Sequence, residues 1–242
     1  MTFYRNVVWF CKGLKEYTKS GFESAAKKFN PSDLQVDCTG ISYMITGANS
    51  GIGKEAALEI AKRGGTVHMV CRNPQYAQEA AKELQEAATT TNNIHVHILD
   101  LSDPKAVGKF ASEFKDPLNV LINNAGCMVN TRTLTAENLE KNFATNTLGT
   151  YILTEKLLPK LKESSTKSRV IVVSSGGMLT NKMDTTDLNF EKMNPFDGTM
   201  AYAQNKRQQV IMTEQLALAH PDVYFASMHP GKYIIETETR LK

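Results

Sequence analysis

The sequence predicts one α/β domain built on a doubly wound parallel sheet of the Rossmann type. The first observation behind this is the run Thr46-Gly47-Ala48-Asn49-Ser50-Gly51-Ile52-Gly53, which joins a short apolar strand to an amphipathic helix. The second is the regular alternation of apolar strands with helical patterns from residue 41 onward. The third is size: 242 residues with 41% apolar content can bury one substantial core, and a second domain is not expected.

Residues 1–40 read as a basic helical extension ahead of a dinucleotide-binding domain over 41–242. Val7, Val8, Trp9, Phe10 and Leu14 form an apolar cluster, while Arg5, Lys12, Lys15, Lys19, Lys27 and Lys28 make the segment basic. The run is too short to span a bilayer and lacks the small-residue cleavage pattern of a secretory signal. The favoured reading packs Trp9 and Phe10 against the domain. The other reading lays the helix on a membrane surface as a peripheral contact.

Strands then read at 41–46, 66–71, 94–99, 118–123, 169–173 and 223–228, each bounded by polar or turn residues. Helices fill the intervals at 54–63, 75–88, 104–114, 135–161 and 199–219, with Asp103-Pro104 and Thr135 as start signals. Right-handed crossovers put such helices on both faces of a parallel sheet, so ligands bind at its carboxyl edge.

That edge has the polarity a nucleotide needs. In the first loop, Gly47 and Gly51 permit backbone conformations that a Cβ would obstruct, and Gly53 lets the helix pack close to the strand. The unpartnered N–H groups of the helix start face the turn formed by Asn49, Ser50 and Ile52, which suits a pyrophosphate. The second strand ends in Arg72, where a carboxylate would hold the ribose hydroxyls of NAD; a guanidinium grips a 2′-phosphate, so NADP is expected rather than NAD. Asp100-Leu101 ends the third strand and suits an adenine contact. Asn123-Asn124-Ala125-Gly126 ends the fourth, and its small residues let the backbone approach a cofactor.

Tyr202 and Lys206 are four apart in a predicted helix and emerge on one face. That helix follows the fifth strand, which runs out into Ser174-Ser175-Gly176-Gly177, and the long helix before it contains Asn146. On these residues the chain resembles the short-chain dehydrogenase/reductase family from about residue 41 to 231. The resemblance implies that Thr46–Gly53 is the cofactor loop, that Asn123–Gly126 is the family's Asn-Asn-Ala-Gly motif, and that Pro230-Gly231 is its post-strand cofactor motif. It implies a catalytic tetrad of Asn146, Ser175, Tyr202 and Lys206, the last two also serving the cofactor. The wide interval from Ser175 to Tyr202 is similar to that of the retinol-dehydrogenase-like branch.

The implied activity is the NADP(H)-dependent interconversion of a carbonyl and an alcohol. Hydride arriving at carbon leaves charge on oxygen, and Tyr202 would supply the proton. A free phenol has a pKa near 10, and the Lys206 ammonium would favour the phenolate. Ser175 would orient the substrate oxygen, and Asn146 would hold the water chain that reloads the proton.

The remaining features set limits. A formal charge of +3, dispersed along the chain, argues against nucleic acid as a partner. Cys11, Cys38, Cys71 and Cys127 lie far apart with no paired metal spacing, which suggests reduced thiols in the cytoplasm, with membrane association if the N-terminus provides it. His95 and His97 share a strand face without a recognisable third ligand, so no metal is expected. The polar segment Met178 to Thr199 carries Met183, Phe190, Met193 and Phe196; it reads either as a flap over a lipophilic substrate or as a long loop with apolar anchors. After Pro230-Gly231 the run Lys232-Tyr233-Ile234-Ile235 and its charged tail depart from the family pattern. The expectation is therefore a fold without the last strand and substrate-cap helices, its sixth strand left as an edge. A second functional reading follows, a catalytically weak form that binds nucleotide or a partner. Oligomeric state stays open.

Overall fold

The computed structural model describes residues 2–88, 93–164 and 166–231. Six parallel strands, β1 (Ser42–Thr46), β2 (Thr66–Cys71), β3 (Ile94–Ile98), β4 (Val120–Asn123), β5 (Arg169–Val173) and β6 (Tyr224–Met228), form one sheet in the order β3-β2-β1-β4-β5-β6. Every predicted strand is present. The order reverses between β1 and β4, and the crevice at that switch point opens at the carboxyl ends.

Helices α3 (Gly51–Lys62) and α4 (Pro74–Ala87) cover one face, and α5 (Pro104–Glu113) and α7 (Thr150–Lys162) the other. The period-two alternation of the strands divides their side chains between two cores. Met44, Val70, Leu121 and Val170 meet Leu153, Leu157 and Leu161 of α7. Ile45, Val67 and Met69 meet Ala57, Ala61, Ala77, Ala81 and Leu84. Small alanines on α3 and α4 bring those helices close to the strands, while leucines fill the wider gap beneath α7. Asn73 and Asp103 start α4 and α5 by accepting from Tyr76 N and Ala106 N, each with a proline at the next position.

The helix predicted over 135–161 begins later than its sequence suggested. Asn138 adopts a left-handed φ of 58°, and Leu134 and Glu140 form an isolated antiparallel bridge, so 135–140 is a turn. The buried Glu140 carboxylate accepts from Phe143 N at 2.8 Å and from Asn142 Nδ2 at 3.0 Å, and α6 (Lys141–Phe143) starts from that cap. A π-helical stretch, Ala144–Gly149, then leads into α7. Gly149 lies against Leu101 O, where a Cβ would collide, so the π stretch runs hard against the loop after β3.

Two open expectations resolve at the periphery. The 178–199 segment is pinned: Arg132 donates to Asn189 O at 3.0 and 3.2 Å, Asn189 Nδ2 donates to Asn138 O, Asn189 Oδ1 accepts from Glu140 N, and Phe190 is buried. Ahead of the sheet, α1 (Thr2–Glu16) and α2 (Lys19–Ala26) are helical as expected. Trp9 does pack on the domain, its Nε1 donating to Gly176 O at 2.8 Å, and Tyr17 stands edge-on to His229 with ring centroids 4.7 Å apart. Phe10 does not; it is 58% exposed. Positions 9, 13 and 17 share the docked face of the turn pattern, whereas 7, 10 and 14 share the outer one. The divergent run after Gly231 lies outside the described residues.

Candidate active site

The glycine loop folds tightly because its glycines are crowded on all sides. Gly47 and Gly51 take φ of 68° and 54°, and a Cβ on Gly47 would lie 3.1 Å from Ala125 Cα. A Cβ on Gly53 would collide with Gly47 O and Asn124 Nδ2. Asn124 then ties the loop to β4: its N–H donates to Thr46 Oγ1, and its Nδ2 donates to Thr46 O at 2.9 Å. The Cys71 thiol lies beneath the Ala48 and Asn49 backbone of the loop, and burial pushes it up to about 11, so it is neutral at pH 7.

Above the loop lies a cleft of about 600 Å³. Gly47, Asn49, Ser50, Gly51, Ile52, Arg72, Asp100, Leu101, Asn124, Ala125 and Gly126, all sequence-predicted, line it. Gly53 packs underneath. Ser50, at the N-cap of α3, makes no side-chain capping bond, which leaves the first turn of that helix to serve a ligand in the cleft. Asp100 spends one carboxylate oxygen on Ser102 N and Ser102 Oγ, shaping the turn after β3. The cleft volume, the bare helix start, the glycine floor and Arg72 at one end together fit a dinucleotide with a charged ribose substituent. Thr145 and Cys127 also line the cleft, and sequence reasoning assigned them no part in it. Cys127 follows directly after the Asn-Asn-Ala-Gly run, which was the one available signal.

Outside the cleft lining but against it at Gly126, the fold brings Asn146, Ser175, Tyr202 and Lys206 together. The Ser175 hydroxyl lies close enough to Tyr202 to stabilise its phenolate, and the Lys206 ammonium sits over the Tyr202 ring, 5.4 Å from its centroid. Lys206 Nζ donates to Val173 O at 2.8 Å, and Ser174 Oγ donates to Lys206 O, so α8 (Gly198–Ala219) is stitched to the end of β5. A Cβ on Gly126 would lie 3.2 Å from Asn146 Oδ1 and 3.4 Å from Lys206 Nζ, which brings both side chains to the glycine floor. Pro230 and Gly231 follow β6, where Gly231 has φ of 86°.

The electrostatics differ from expectation in one respect. Burial drives the Tyr202 phenol upward, with the nearby Ser175 hydroxyl pulling the other way, and Lys206 is not among the groups that shift it. The reason is geometric: the ammonium faces the ring and Val173 O rather than the hydroxyl. Lys206 is itself held down, to about 8, by burial. The Asn146 side chain is committed to the cleft floor. Its Oδ1 accepts from Cys127 N and its Nδ2 donates to Cys127 O, both at 2.8 Å.

Residues 42–184 match the short chain dehydrogenase family. The chain is 60% identical over 233 residues to "Dehydrogenase/reductase SDR family member 12" of Homo sapiens, covering 96% of this chain and 73% of that one. It belongs to the short chain dehydrogenase family. As a member it is an oxidoreductase acting on CH–OH groups with a nicotinamide cofactor. Human retinol dehydrogenase 11 is 40% identical over 203 residues, 81% of this chain and 62% of that one. Among solved structures, an uncharacterized protein from Mycobacterium paratuberculosis superposes with a TM-score of 0.70 at 34% identity, covering 80% of this chain and 69% of that one. A short chain dehydrogenase from Escherichia coli CFT073 complexed with NADPH shares the fold, with a TM-score of 0.66 at 23% identity over 81% of this chain and 78% of that one.

Proposed function

We propose that this short chain dehydrogenase uses NADP(H) to interconvert a lipophilic carbonyl and its alcohol, with residues 41–242 as the dinucleotide-binding domain and 1–40 as an extension. The observation that carries this is the Lys206 ammonium 5.4 Å from the Tyr202 ring centroid, with Lys206 and Asn146 both reaching Gly126 in the floor of a cleft that Arg72 also lines. Bound NADPH supplies hydride to the carbonyl carbon. Tyr202 delivers the proton to the oxygen, and its raised pKa keeps it protonated and ready to donate at neutral pH. Ser175 orients that oxygen, Lys206 serves the cofactor's ribose, and Asn146 fixes the floor at Cys127. Arg72 selects the 2′-phosphate. Pro230 and Gly231 border the nicotinamide end. The retinol dehydrogenase name of the 40% identical relative supports a lipophilic substrate.

The test is a titration with NADPH and NADH, followed by turnover across quinones, retinals and keto-steroids. Tight NADPH binding with turnover of a lipophilic member is expected. Binding without turnover would favour the second reading, a catalytically weak form, which the seating of Lys206 on Val173 O supports.

We further propose a cytoplasmic protein that touches a membrane peripherally through α1. Tyr4, Phe10 and Leu14 are exposed there beside Lys12 and Lys15, and no helix among the described residues is long and apolar enough to cross a bilayer. Co-flotation with phosphatidylserine vesicles should drop when Phe10 and Leu14 are both replaced by serine. Equal flotation of the two proteins rejects the contact.

A further inference from the structure

The π stretch Ala144–Gly149 interrupts the ordinary helical ladder where Asn146 sits, and π-turns leave carbonyls that need partners from outside the helix. Asn146 O finds one in Gln209 of α8, whose Nε2 donates to it at 2.6 Å across 63 positions of sequence. Gln209 is fully buried, and its Oε1 has no hydrogen-bond partner among the described residues. The amide orientation is fixed by this bond, since the opposite orientation would set oxygen against oxygen. A half-satisfied buried amide is a poor device for stability, because leaving one polar atom unpaired costs about 1–3 kcal/mol. The chain holds it beneath the residue that grips the cleft floor.

From Asn146 the path to the cleft is short. The backbone segment that Gln209 fixes carries the side chain that clamps Cys127 N and Cys127 O. Asn142 makes a second clamp nearby, its Oδ1 accepting from Val129 N at 2.7 Å and, more distantly, from Cys127 Sγ at 3.7 Å. That second clamp hangs from the buried Glu140 carboxylate, with no contribution from Gln209.

We infer that Gln209 is a positioning residue: by locking the Asn146 carbonyl in the π-turn it sets the Asn146 amide against Cys127 and so fixes the floor at Gly126–Cys127. The inference rests on the proposed active site only for its kinetic consequence. Its structural consequence is readable in the free protein.

The test is amide hydrogen exchange on the full chain. In Gln209→Met, which keeps length and removes the donor, the Cys127 amide should exchange about tenfold faster or more, while the Val129 amide keeps its protection. Melting should shift by no more than about 3 °C, since one orphaned polar atom replaces another. With NADPH and a quinone that the wild type turns over, kcat should fall about tenfold or more while NADPH affinity stays within about twofold. Gln209→Glu supplies a second arm. A buried carboxyl has a raised pKa and donates to the carbonyl only when protonated, so Cys127 protection should recover at pH 6 relative to pH 8, after correction for intrinsic exchange. Unchanged Cys127 protection in Gln209→Met overturns the inference. Should that variant fail to fold, a pH-independent Cys127 amide in Gln209→Glu overturns it. Loss of protection without measurable turnover of any quinone leaves Gln209 in place and counts against the proposed reaction instead.

Discussion

The two ends of this site, the cleft and the side-chain cluster that meets it at Gly126, are built from different materials. The nucleotide end is backbone: positive-φ glycines, a helix start without a side-chain cap, and Asn124 holding the turn to β4. The end proposed to be catalytic is side chains and one unusual helix: a buried lysine on Val173 O, an asparagine on both backbone atoms of Cys127, and a π-turn carbonyl on Gln209. Backbone cradles tolerate almost no added atoms, whereas side-chain networks tolerate shape changes and fail when a donor is lost. Binding and chemistry should therefore separate cleanly under mutation.

The largest separation is expected from Tyr202→Phe, which removes the proton donor and should lower turnover by about 10²–10⁴-fold while leaving NADPH affinity within about twofold. Stopped-flow and equilibrium titration measure the two; a proportionate loss of both would erase the distinction between the ends. Gly53→Ala should do the reverse. Its Cβ meets Gly47 O and Asn124 Nδ2, so the loop must shift, and NADPH affinity should weaken by about 100-fold, a change worth roughly 2.7 kcal/mol. Retained affinity there would mean that the loop yields more easily than its packing implies.

A third region provides the reference for pH. His68 is buried on β2, stacked on His95 and bonded to His97 of β3, with Asp116 at 3.9 Å, and burial lowers it to about 4. Because the unfolded imidazole titrates near 6.5, the unfolded chain binds the extra proton between those values, so stability falls as pH drops through that window. The loss between pH 7 and 5 should be on the order of 2 kcal/mol by urea denaturation, and His68→Phe should flatten it. An unchanged acid limb would move the sensitivity elsewhere, to His97 first, which burial also lowers. The smallest effect belongs to Arg72→Ala: the preference for NADPH over NADH should shrink by about tenfold, the worth of one charge-assisted contact at an exposed side chain. An unaltered ratio of the two dissociation constants would remove Arg72 from cofactor selection.

The same division explains what was legible in the sequence. Strands, crossover helices and the glycine loop follow from local pattern, and the structure reproduces all six strands within two residues. The start of the helix carrying Asn146 was not legible, because it depends on the left-handed Asn138 and on a carboxylate, Glu140, that looks like any surface glutamate until it is buried. The π-turn has no periodic signature. Gln209 and His68 gave no signal, since their partners lie 63 and 29 positions away. Tyr202 and Lys206 were readable as a pair, but the turn of the ammonium toward Val173 O depends on how α8 meets β5. The apolar residues of the 178–199 segment were ambiguous for a similar reason: Phe190 became an anchor only through Asn189 and Arg132.

Trp9 is the sole tryptophan in 242 residues, and its indole is bonded to the carbonyl next to Ser175. The fold thus carries a single indole, selectively excited above the eight tyrosines, at the junction of the N-terminal helix and the loop after β5. Its emission maximum reports whether that helix is seated, and energy transfer from it to a reduced nicotinamide ring gives a label-free optical ruler across the cleft.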